Sequence, residues 1–413
     1  MPTAPLSFAR RRYGAAALGA LGLAALPTPA SPAIATALGG PDKYALLHSF
    51  GDPGVAEDGI GPMAALLAAS DGHLYGTTQQ GGIGDGTIFK VKLDAGRRVQ
   101  VRTVHTFDRT VEGGLPSSVL IEGPDGGIYG TTPDVGTGPC PNGSIFRLDP
   151  EGGLQTLYAF GTTHFPPSNP RGGLVLASDG NYYGTTSNGG GLAGSGTVFM
   201  MTPGGVVTTL YVLRETVTPA IGPMGELIQA SDGALYGITE GSSSADEFGT
   251  VYSISLAGEF KLLHKFAGPD GAFPWAGLVQ ASDGLLYGSA IGRGHARHDG
   301  TVYRMALDGS DFSFITMRSR SPIGHTPMTN LTQASNGALY GTTSVGGPQG
   351  GGCVYRLEGD RRLRVHAFLE AGRDFGVSPS AVIQAADGAL YGTTQYGGVF
   401  SHGSVFRIGD LAA

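Results

Sequence analysis

A five-residue segment recurs seven times along this chain at almost even spacing. Its first copy is Leu74-Tyr75-Gly76-Thr77-Thr78, and the others are near-identical. The tyrosines of the seven copies are Tyr75, Tyr129, Tyr183, Tyr236, Tyr287, Tyr340 and Tyr391. They are 54, 54, 53, 51, 53 and 51 residues apart. A fixed period over most of a chain indicates one supersecondary unit that is copied and stacked, so the repeat constrains the architecture directly.

The fourth copy shows how one unit is built. Apolar runs from Met224 to Ala230 and from Ala234 to Thr239 flank the tight-turn dipeptide Asp232-Gly233. A third strand is predicted over Gly249 to Ile254 and a fourth over Phe260 to Phe266, because both segments are rich in β-branched and aromatic residues or alternate in polarity. With 72 glycines in the chain and only 14% charged residues, short strands and tight turns are favoured over helices. Each unit is therefore predicted to be four antiparallel strands, which we label A to D.

The two ends of the repeat region complement each other. An extra strand from Tyr44 to Phe50 precedes the first unit and resembles a strand D, while the last unit ends at Arg407-Ile408 without one. Radial repetition of four-stranded sheets is the solution that β-propellers use for exposed edges. We predict an all-β, seven-bladed β-propeller of four-stranded antiparallel blades over residues 44–408, closed by the N-terminal strand completing the last blade.

The first 35 residues are typical of a signal peptide. Arg10, Arg11 and Arg12 form a positive segment, a weakly apolar run extends from Gly14 to Leu26, and Ala33-Ile34-Ala35 offers a cleavage site. The arginines followed by Tyr13 also resemble a twin-arginine signal, and both export routes stay open. We therefore expect an exported protein that is periplasmic or extracellular.

The charge of the mature chain argues against some classes of partner. Removing the three arginines of residues 1–35 leaves 23 basic and 33 acidic side chains, a net charge of −10. Such a chain is unsuited to nucleic acid or to anionic membrane surfaces. No later apolar run is long enough for a transmembrane segment. We expect a monomer without a cofactor, whose partner is a carbohydrate or a protein of the envelope.

The repeated motif Asp-Gly-x-Leu-Tyr-Gly-Thr-Thr, followed by Gly-Gly and Gly-Thr-Val-Phe, resembles the GloVer repeat of exported bacterial proteins. The resemblance covers roughly residues 44–408. It implies export, and often attachment to the surface through a C-terminal anchor. No anchor sequence follows the repeats here, so we expect a free periplasmic or secreted protein. The resemblance brings no catalytic residue.

Several residues that suggest chemistry are better explained by structure. We expect a packing or solvent role for the strand-D histidines, which we place at one repeated position: His48, His105, His264 and His366. His295, His298 and Asp299 are placed in a solvated B–C loop rather than at a metal, because Arg293 and Arg297 oppose a cation. Cys140 and Cys353 belong to units 2 and 6, too far apart in a ring for a disulfide, which needs Cα atoms within about 7 Å. No metal site and no catalytic residue is predicted.

The start of strand A is the strongest candidate for a binding site. This strand should lie nearest the central channel, and its first position varies between units while the next position is always small. Counting eight residues back from the turn Asp or Asn gives Met63, Ser117, Arg171, Met224, Trp275, Met328 and Pro379. A ring that varies among constant neighbours suits ligand recognition, although these side chains could also simply plug the channel. We select Met63, Arg171, Met224, Trp275 and Met328, and add Glu226 as an acid in the inner half of strand A.

The D–A and B–C loops should share one face with this ring. On that face we expect exposed aromatic and polar residues, namely Phe165, Asp246, Phe248, Phe273, Arg293, His295, His298, Phe375, Tyr396 and Phe400. Exposed aromatics among polar residues could stack on sugars or bind a peptide. The favoured interpretation is a non-catalytic binding module of the cell envelope. A carbohydrate-active lyase or hydrolase at the same mouth is the alternative, and a purely structural protein is a third.

Overall fold

Seven antiparallel sheets follow one another along the chain, one for each copy of the repeat. The computed structural model describes residues 44–93, 99–133, 140–161, 166–191, 194–214, 222–241, 247–292, 299–318, 321–358, 362–370 and 376–409, with the backbone alone for 367–370. The strands belong to the compact unit Ala35–Ala413. The predicted signal peptide, residues 1–35, lies outside the described residues. Where the chain is described, it contains no helix that could span a membrane.

In blades 1 to 6 the strands of each sheet follow chain order from strand A at one edge to strand D at the other. Before blade 1 lie β1 (Ala45–Ser49) and β2 (Gly59–Ile60). Blade 1 contains β3 (Leu67–Ala68), β4 (His73–Thr78), β6 (Thr87–Leu93) and β7 (Val99–Thr106). Between β4 and β6 lies the short strand β5 (Gln80–Gly81), which pairs with β2 outside the blade. Blade 2 contains β8 (Ile121–Glu122), β9 (Ile128–Thr132), β10 (Ser144–Leu148) and β11 (Leu154–Ala159). Blade 3 contains β12 (Val175–Leu176), β13 (Tyr182–Thr186), β14 (Thr197–Met201) and β15 (Val207–Val212).

The remaining blades repeat this order. Blade 4 contains β16 (Ile228–Gln229), β17 (Leu235–Thr239), β18 (Thr250–Ile254) and β19 (Phe260–Lys265). Blade 5 contains β20 (Val279–Gln280), β21 (Leu286–Ala290), β22 (Thr301–Met305) and β23 (Ser313–Thr316). Blade 6 contains β24 (Thr332–Gln333), β25 (Leu339–Thr343), β26 (Gly350–Leu357) and β27 (Leu363–Glu370). Blade 7 contains β28 (Gly376–Pro379), β29 (Ile383–Gln384), β30 (Leu390–Gly397) and β31 (Ser404–Ile408).

The turn between strands A and B explains why the motif repeats. In blade 4, Asp232 accepts a hydrogen bond from the backbone N–H of Ala234, and the Tyr236 hydroxyl donates to its other carboxylate oxygen at 2.7 Å. The glycine that follows the turn Asp or Asn has φ between 72° and 83° in all seven blades, a conformation that glycine adopts without steric cost. Aspartate, glycine and tyrosine of the motif thus form one hydrogen-bonded unit.

The glycine after the strand-B tyrosine is required for a different reason. A Cβ atom at Gly76 would clash with the ring of Phe89, and one at Gly288 would clash with the hydroxyl of Tyr303. The same close approach of a strand-C ring occurs at the equivalent glycine of every blade. These aromatic rings and the strand-B tyrosines are buried between neighbouring blades, so the hydrophobic core lies at the blade junctions.

The N-terminal strand closes the ring. β1 pairs antiparallel with β31, with Ala45 opposite Arg407 and Ser49 opposite Ser404. The sheet of blade 7 therefore takes its outermost strand from the beginning of the chain. The predicted closed seven-bladed β-propeller is confirmed.

A β-bulge interrupts the pairing of strands C and D in every blade except blade 5. The extra residue of strand D is Leu47, Val104, Leu157, Leu210, Leu263 or His366. The prediction that four histidines share one position is therefore wrong for His366, which occupies the bulge. The other three each face a carboxylate of the following loop, with His48 3.2 Å from Asp58, for example.

Candidate functional site

One cavity of about 380 Å³ gathers, from all seven blades, the residue eight positions before the turn Asp or Asn, which lies in the segment that leads into strand A. The residues concerned are Met63, Ser117, Arg171, Met224, Trp275, Met328 and Pro379. Their convergence identifies strand A as the innermost strand and this cavity as the mouth of the central channel. Five of the six predicted site residues thus lie together, and their role in binding a ligand stays a prediction.

The walls of the mouth differ in chemistry. Met224, Trp275 and Met328, from blades 4, 5 and 6, pack on one hydrophobic cluster and form an apolar wall. Met63 is 38% exposed on blade 1. Arg171 on blade 3 is exposed, and its Nε donates a hydrogen bond to Asn169 Oδ1 at 3.2 Å. A ligand with an apolar face and an anionic or hydrogen-bonding edge fits these surroundings.

Sequence reasoning missed a second set of residues that line the mouth. They come from the B–C and D–A connections, which in blade 7 are partly strand (β30 and β28), and are Gln79, Leu115, Pro133, Asn169, Ser344, Ser378 and Gln395. Four of them directly follow the Thr-Thr end of strand B, and three directly precede the proline before strand A. Both positions vary among constant neighbours, which is the signal that could have identified them.

The residue before this proline has a positive φ in every blade. The values lie between 56° and 68° for Gly61, Leu115, Asn169, Gly222, Phe273, Thr326 and Ser378. Five of these seven residues are not glycine, and such a conformation costs of order 1 kcal/mol or more for each. Backbone strain of this kind is concentrated at functional sites, and here it surrounds the mouth.

Glu226 lies in the channel one layer below the mouth and does not line the cavity. Asn330, two blades away, donates a hydrogen bond from Nδ2 to Glu226 Oε2 at 3.3 Å, and accepts one from the Gly277 N–H at 2.6 Å. A Cβ atom at Gly173 of blade 3 would lie 3.4 Å from Glu226 Cγ, and one at Gly277 of blade 5 would lie 3.0 Å from the Glu226 carbonyl oxygen, so a glycine adjoins this residue on each neighbouring blade. Burial raises the pKa of Glu226 to about 7, against the lowering effect of Asn330.

The expected loop surface is only partly observed. Tyr396 and Phe400 are exposed, at 55% and 37%. Phe248 and Phe273 are buried instead, and this part of the prediction is wrong. The Phe273 N–H donates to the Phe248 carbonyl at 2.8 Å, and both rings pack in the hydrophobic cluster of blades 4 and 5. The other predicted loop residues lie outside the described residues, namely Phe165, Asp246, Arg293, His295, His298 and Phe375.

The cysteines are free and buried. Cys353 takes the place that threonine or serine holds in the other strands C, with Sγ 3.3 Å from Thr343 Oγ1. Burial raises the pKa of its thiol to about 11, so the thiolate is disfavoured. Within the described ranges, no three His, Cys, Asp or Glu side chains converge as a metal-binding set would.

Solved structures of other proteins share the propeller fold. A puromycin hydrolase mutant complexed with PGG superposes with a TM-score of 0.50 and 14% identity, covering 81% of this chain and 50% of that chain. PorZ, an essential surface component of the type-IX secretion system of Porphyromonas gingivalis, superposes with a TM-score of 0.49 and 14% identity. The match covers 82% of this chain and 45% of that chain. Regucalcin from Agrobacterium tumefaciens, a calcium-binding protein, superposes with a TM-score of 0.41 and 15% identity. The match covers 70% of this chain and 82% of that chain.

This chain spans about half the length of the puromycin hydrolase, and the low identity shows the fold alone. Among curated proteins, no sequence matches it. The family model of the Gloeobacter/Verrucomicrobia repeat matches residues 36–221 and 293–412, which is more than half of the chain and confirms the resemblance to the GloVer repeat. The chain therefore belongs to the Gloeobacter/Verrucomicrobia repeat family.

Proposed function

We propose that the protein is an exported, non-catalytic binding propeller of the cell envelope, periplasmic or extracellular, with the channel mouth as its recognition surface. One observation carries the proposal. The mouth cavity brings together residues that differ from blade to blade, in a molecule whose neighbouring positions repeat almost without change. Export is supported by the signal-peptide pattern of residues 1–35.

The lining favours binding over catalysis. Methionine, tryptophan and proline side chains offer apolar contact, while Arg171, Asn169 and the glutamines offer hydrogen bonds. Tryptophan presents a flat face on which a sugar ring can stack, and arginine pairs with carboxylates. A carbohydrate with an anionic group, or a segment of an envelope protein, is the ligand that this combination suits.

The strained loops support the same proposal. Leu115, Asn169 and Ser378 reach the mouth from positions with positive φ. Such strain persists only where the surrounding structure holds it, and it pre-organises the side chains that project from it. A pre-organised mouth loses less conformational entropy on binding.

A carbohydrate-active enzyme is the alternative function, and Glu226 is the residue that supports it. A carboxyl group with a pKa of about 7 is suited to general acid–base catalysis. Hydrolysis of a glycosidic bond by the usual mechanism needs two carboxyl groups on either side of the bond. The alternative therefore needs a second acid from the loops above Glu226.

A thermal-shift screen of residues 36–413 against oligosaccharides tests the proposal. A ligand at 100 times its Kd stabilises the native state by about 2.7 kcal/mol, which raises the melting temperature measurably. We expect this shift to be lost in Trp275→Ala and Arg171→Ala, and retained in the control Val206→Ala, whose side chain is exposed at a C–D turn. Equal shifts in all three variants would contradict the proposal.

A second measurement separates the two functions. Any oligosaccharide that binds is incubated with the protein, and new reducing ends or unsaturated products are measured. The binding function predicts no turnover. Cleavage that is abolished in Glu226→Gln would establish the enzyme instead.

A further inference from the structure

A cleft of about 450 Å³ opens between blades 5 and 6, away from the mouth. It lies beside the A–B turns of the two blades, at Asp283 and Gly337, whereas the mouth lies beside the B–C and D–A loops. The two cavities have no lining residue in common. The cleft is thus a separate feature of the fold.

Other junctions fill the equivalent space with the bulge residue of strand D. In blade 4 this residue is Leu263, which packs with Met305 and Phe312 of blade 5. Blade 1 places Val104 against Leu148 and Leu154 in the same way. The bulge residues of five blades are aliphatic, namely Leu47, Val104, Leu157, Leu210 and Leu263.

Blade 5 is different because its strand D is one residue shorter. β23 pairs with β22 residue for residue, with Val302 opposite Ile315 and Tyr303 opposite Phe314, so no residue bulges toward blade 6. Leu357 of blade 6 corresponds to Met305 of blade 5, and it lines the cleft. Among the residues that the structure describes, the cleft therefore occupies the space that an aliphatic bulge residue fills at other junctions.

The cleft continues toward the outside of the propeller. A groove of about 500 Å³ adjoins it, lined by Ile315, Thr316, Ile323, Arg362, Leu363 and Arg364, and shares Ile315 with the cleft. On the blade 5 side it is lined by β23, which is only four residues long and is the outermost strand of its sheet. An outermost strand presents backbone donors and acceptors to an added segment.

The inner rim of the cleft is polar. Arg304 and Asp283 lie on the blade 5 side, and Gln333, Asn336 and Glu358 on the blade 6 side. Three of them already have partners within the junction, since Gln333 bonds to Ser282, Asp283 to Tyr287 and Glu358 to Arg364. Their remaining donor and acceptor capacity can hydrogen-bond a peptide backbone around an apolar anchor. Peptide recognition beside a sheet edge combines these two elements, with main-chain hydrogen bonds for affinity and a pocket for a side chain.

We propose that the cleft between blades 5 and 6 binds an extended peptide, which inserts a leucine-sized aliphatic side chain into the space of the missing bulge residue. The anchor contacts Leu357 and Leu339, and its flanking backbone lies in the outer groove against β23. The anchor side chain of the peptide fills the space that Leu263 and its equivalents fill at other junctions. This site is independent of the mouth and of the function proposed there.

A library of random heptapeptides displayed on phage is the probe. We expect enriched peptides to share one leucine, isoleucine or methionine. A synthetic copy should bind the whole protein in fluorescence anisotropy, and replacement of its anchor by alanine should weaken binding at least tenfold. Trp275→Ala should leave its Kd unchanged, because Trp275 lies in the mouth.

Two variants close the cleft. Inserting a leucine between Phe314 and Ile315 restores the bulge, and should raise the Kd of the peptide at least tenfold. Because the insertion could disturb folding, Ile315→Tyr gives a second test. Tyr211 at the equivalent place of blade 3 stacks on Phe260 of the next blade, so a tyrosine here would cover the groove over Leu363. No enrichment of peptides, or equal binding to wild type and both variants, would overturn the proposal.

Discussion

Gln280, on the inner strand of blade 5, and Ser231, in the A–B turn of blade 4, are joined by two hydrogen bonds of opposite direction. The Ser231 N–H donates to Gln280 Oε1 at 2.8 Å, and Gln280 Nε2 donates to Ser231 Oγ at 2.9 Å. Four further junctions have such a link between a turn serine and the next strand A, namely Ser70 with Glu122, Ser178 with Gln229, Ser282 with Gln333 and Ser335 with Gln384.

The remaining two junctions have lost both partners together. Pro124 stands where the turn serine would be and Leu176 where the glutamine would be, and Ala386 and Ala68 replace the pair between blades 7 and 1. A buried or half-buried amide without a partner costs free energy, so a change in one residue favours loss of the other. The link therefore behaves as a unit that ties neighbouring blades.

Replacing Gln280 by alanine should lower the free energy of unfolding by about 1 kcal/mol, because the hydrogen bonds to Ser231 and to the Gly284 carbonyl are lost. The midpoint of urea unfolding measures the change. Gln280→Glu is the matched control, because a carboxylate oxygen can still accept the hydrogen bond from the Ser231 N–H. Glu122 accepts the equivalent bond from the Ser70 N–H at the first junction. If Gln280→Ala were as stable as wild type, the link would not stabilise the junction.

Replacing Ala290 by threonine should stabilise the protein by about 1 kcal/mol. In blade 4, Thr239 and Thr250 share a buried hydrogen bond of 2.7 Å between their hydroxyl groups. Blade 5 has Ala290 in place of the first threonine, and the buried Thr301 hydroxyl has no partner among the described residues. Thermal unfolding measures the effect, and Ala290→Val controls for shape. Equal stabilisation by valine would assign the gain to packing alone.

Replacing Tyr303 by phenylalanine should also stabilise the protein, by about 1 kcal/mol. Among the described residues, the Tyr303 hydroxyl is buried against Gly288 and has no hydrogen-bond partner, and blades 1, 2, 3 and 7 have phenylalanine there. In the same blade the Tyr287 hydroxyl donates to Asp283 at 2.8 Å, so Tyr287→Phe should destabilise. Urea unfolding of the two variants should give changes of opposite sign, and a loss of stability in both would contradict this account.

The stability of the protein should fall as pH rises through the pKa of Glu226. That pKa is about 7 in the folded protein, against an ordinary value near 4.5, so the native state binds the extra proton between these values. The contribution of the neutral carboxyl is complete below about pH 4.5 and is lost above pH 7. Glu226→Gln should therefore melt higher than wild type at pH 8 and like it at pH 4.5.

An exposed acid provides the control for this pH series. Glu151, in the C–D turn of blade 2, should give the same melting curve as wild type at both pH values when replaced by glutamine. A constant difference between wild type and Glu226→Gln at all pH values would show that the carboxyl does not titrate in the channel.

The blades could be predicted because each copy contains its own turn and its own close contacts. The Asp–Gly turn and the tyrosine lie within five residues of each other and bond to each other, so the signal is local. The ring at the mouth followed from the same register in blades 1 to 6, because eight residues before the turn place those copies at the same height. In blade 7 the segment is one residue shorter, so Pro379 takes the place of the proline that precedes the ring residue in the other blades, and its assignment to the ring was wrong. These features need no knowledge of how blades meet.

Features that depend on contact between loops or blades could not be predicted. Phe248 and Phe273 belong to a B–C loop and the following D–A loop, and their burial goes with contacts between the two loops, a backbone hydrogen bond and an edge-to-face contact of the rings. The place of His366 in a bulge depends on strand register, which shifts by one residue without a clear mark in the sequence. The absence of a bulge in blade 5 could not be predicted for the same reason.

Fluorescence of Trp275 tests the central claim most directly. It is the single tryptophan of the chain and lies in the wall of the mouth, so its emission reports on this cavity alone. We predict that an oligosaccharide or protein segment that raises the melting temperature also changes Trp275 emission in a saturable way, and that Arg171→Ala weakens this response at least tenfold. A ligand that stabilises the protein while leaving Trp275 emission unchanged at saturation would contradict recognition at the channel mouth.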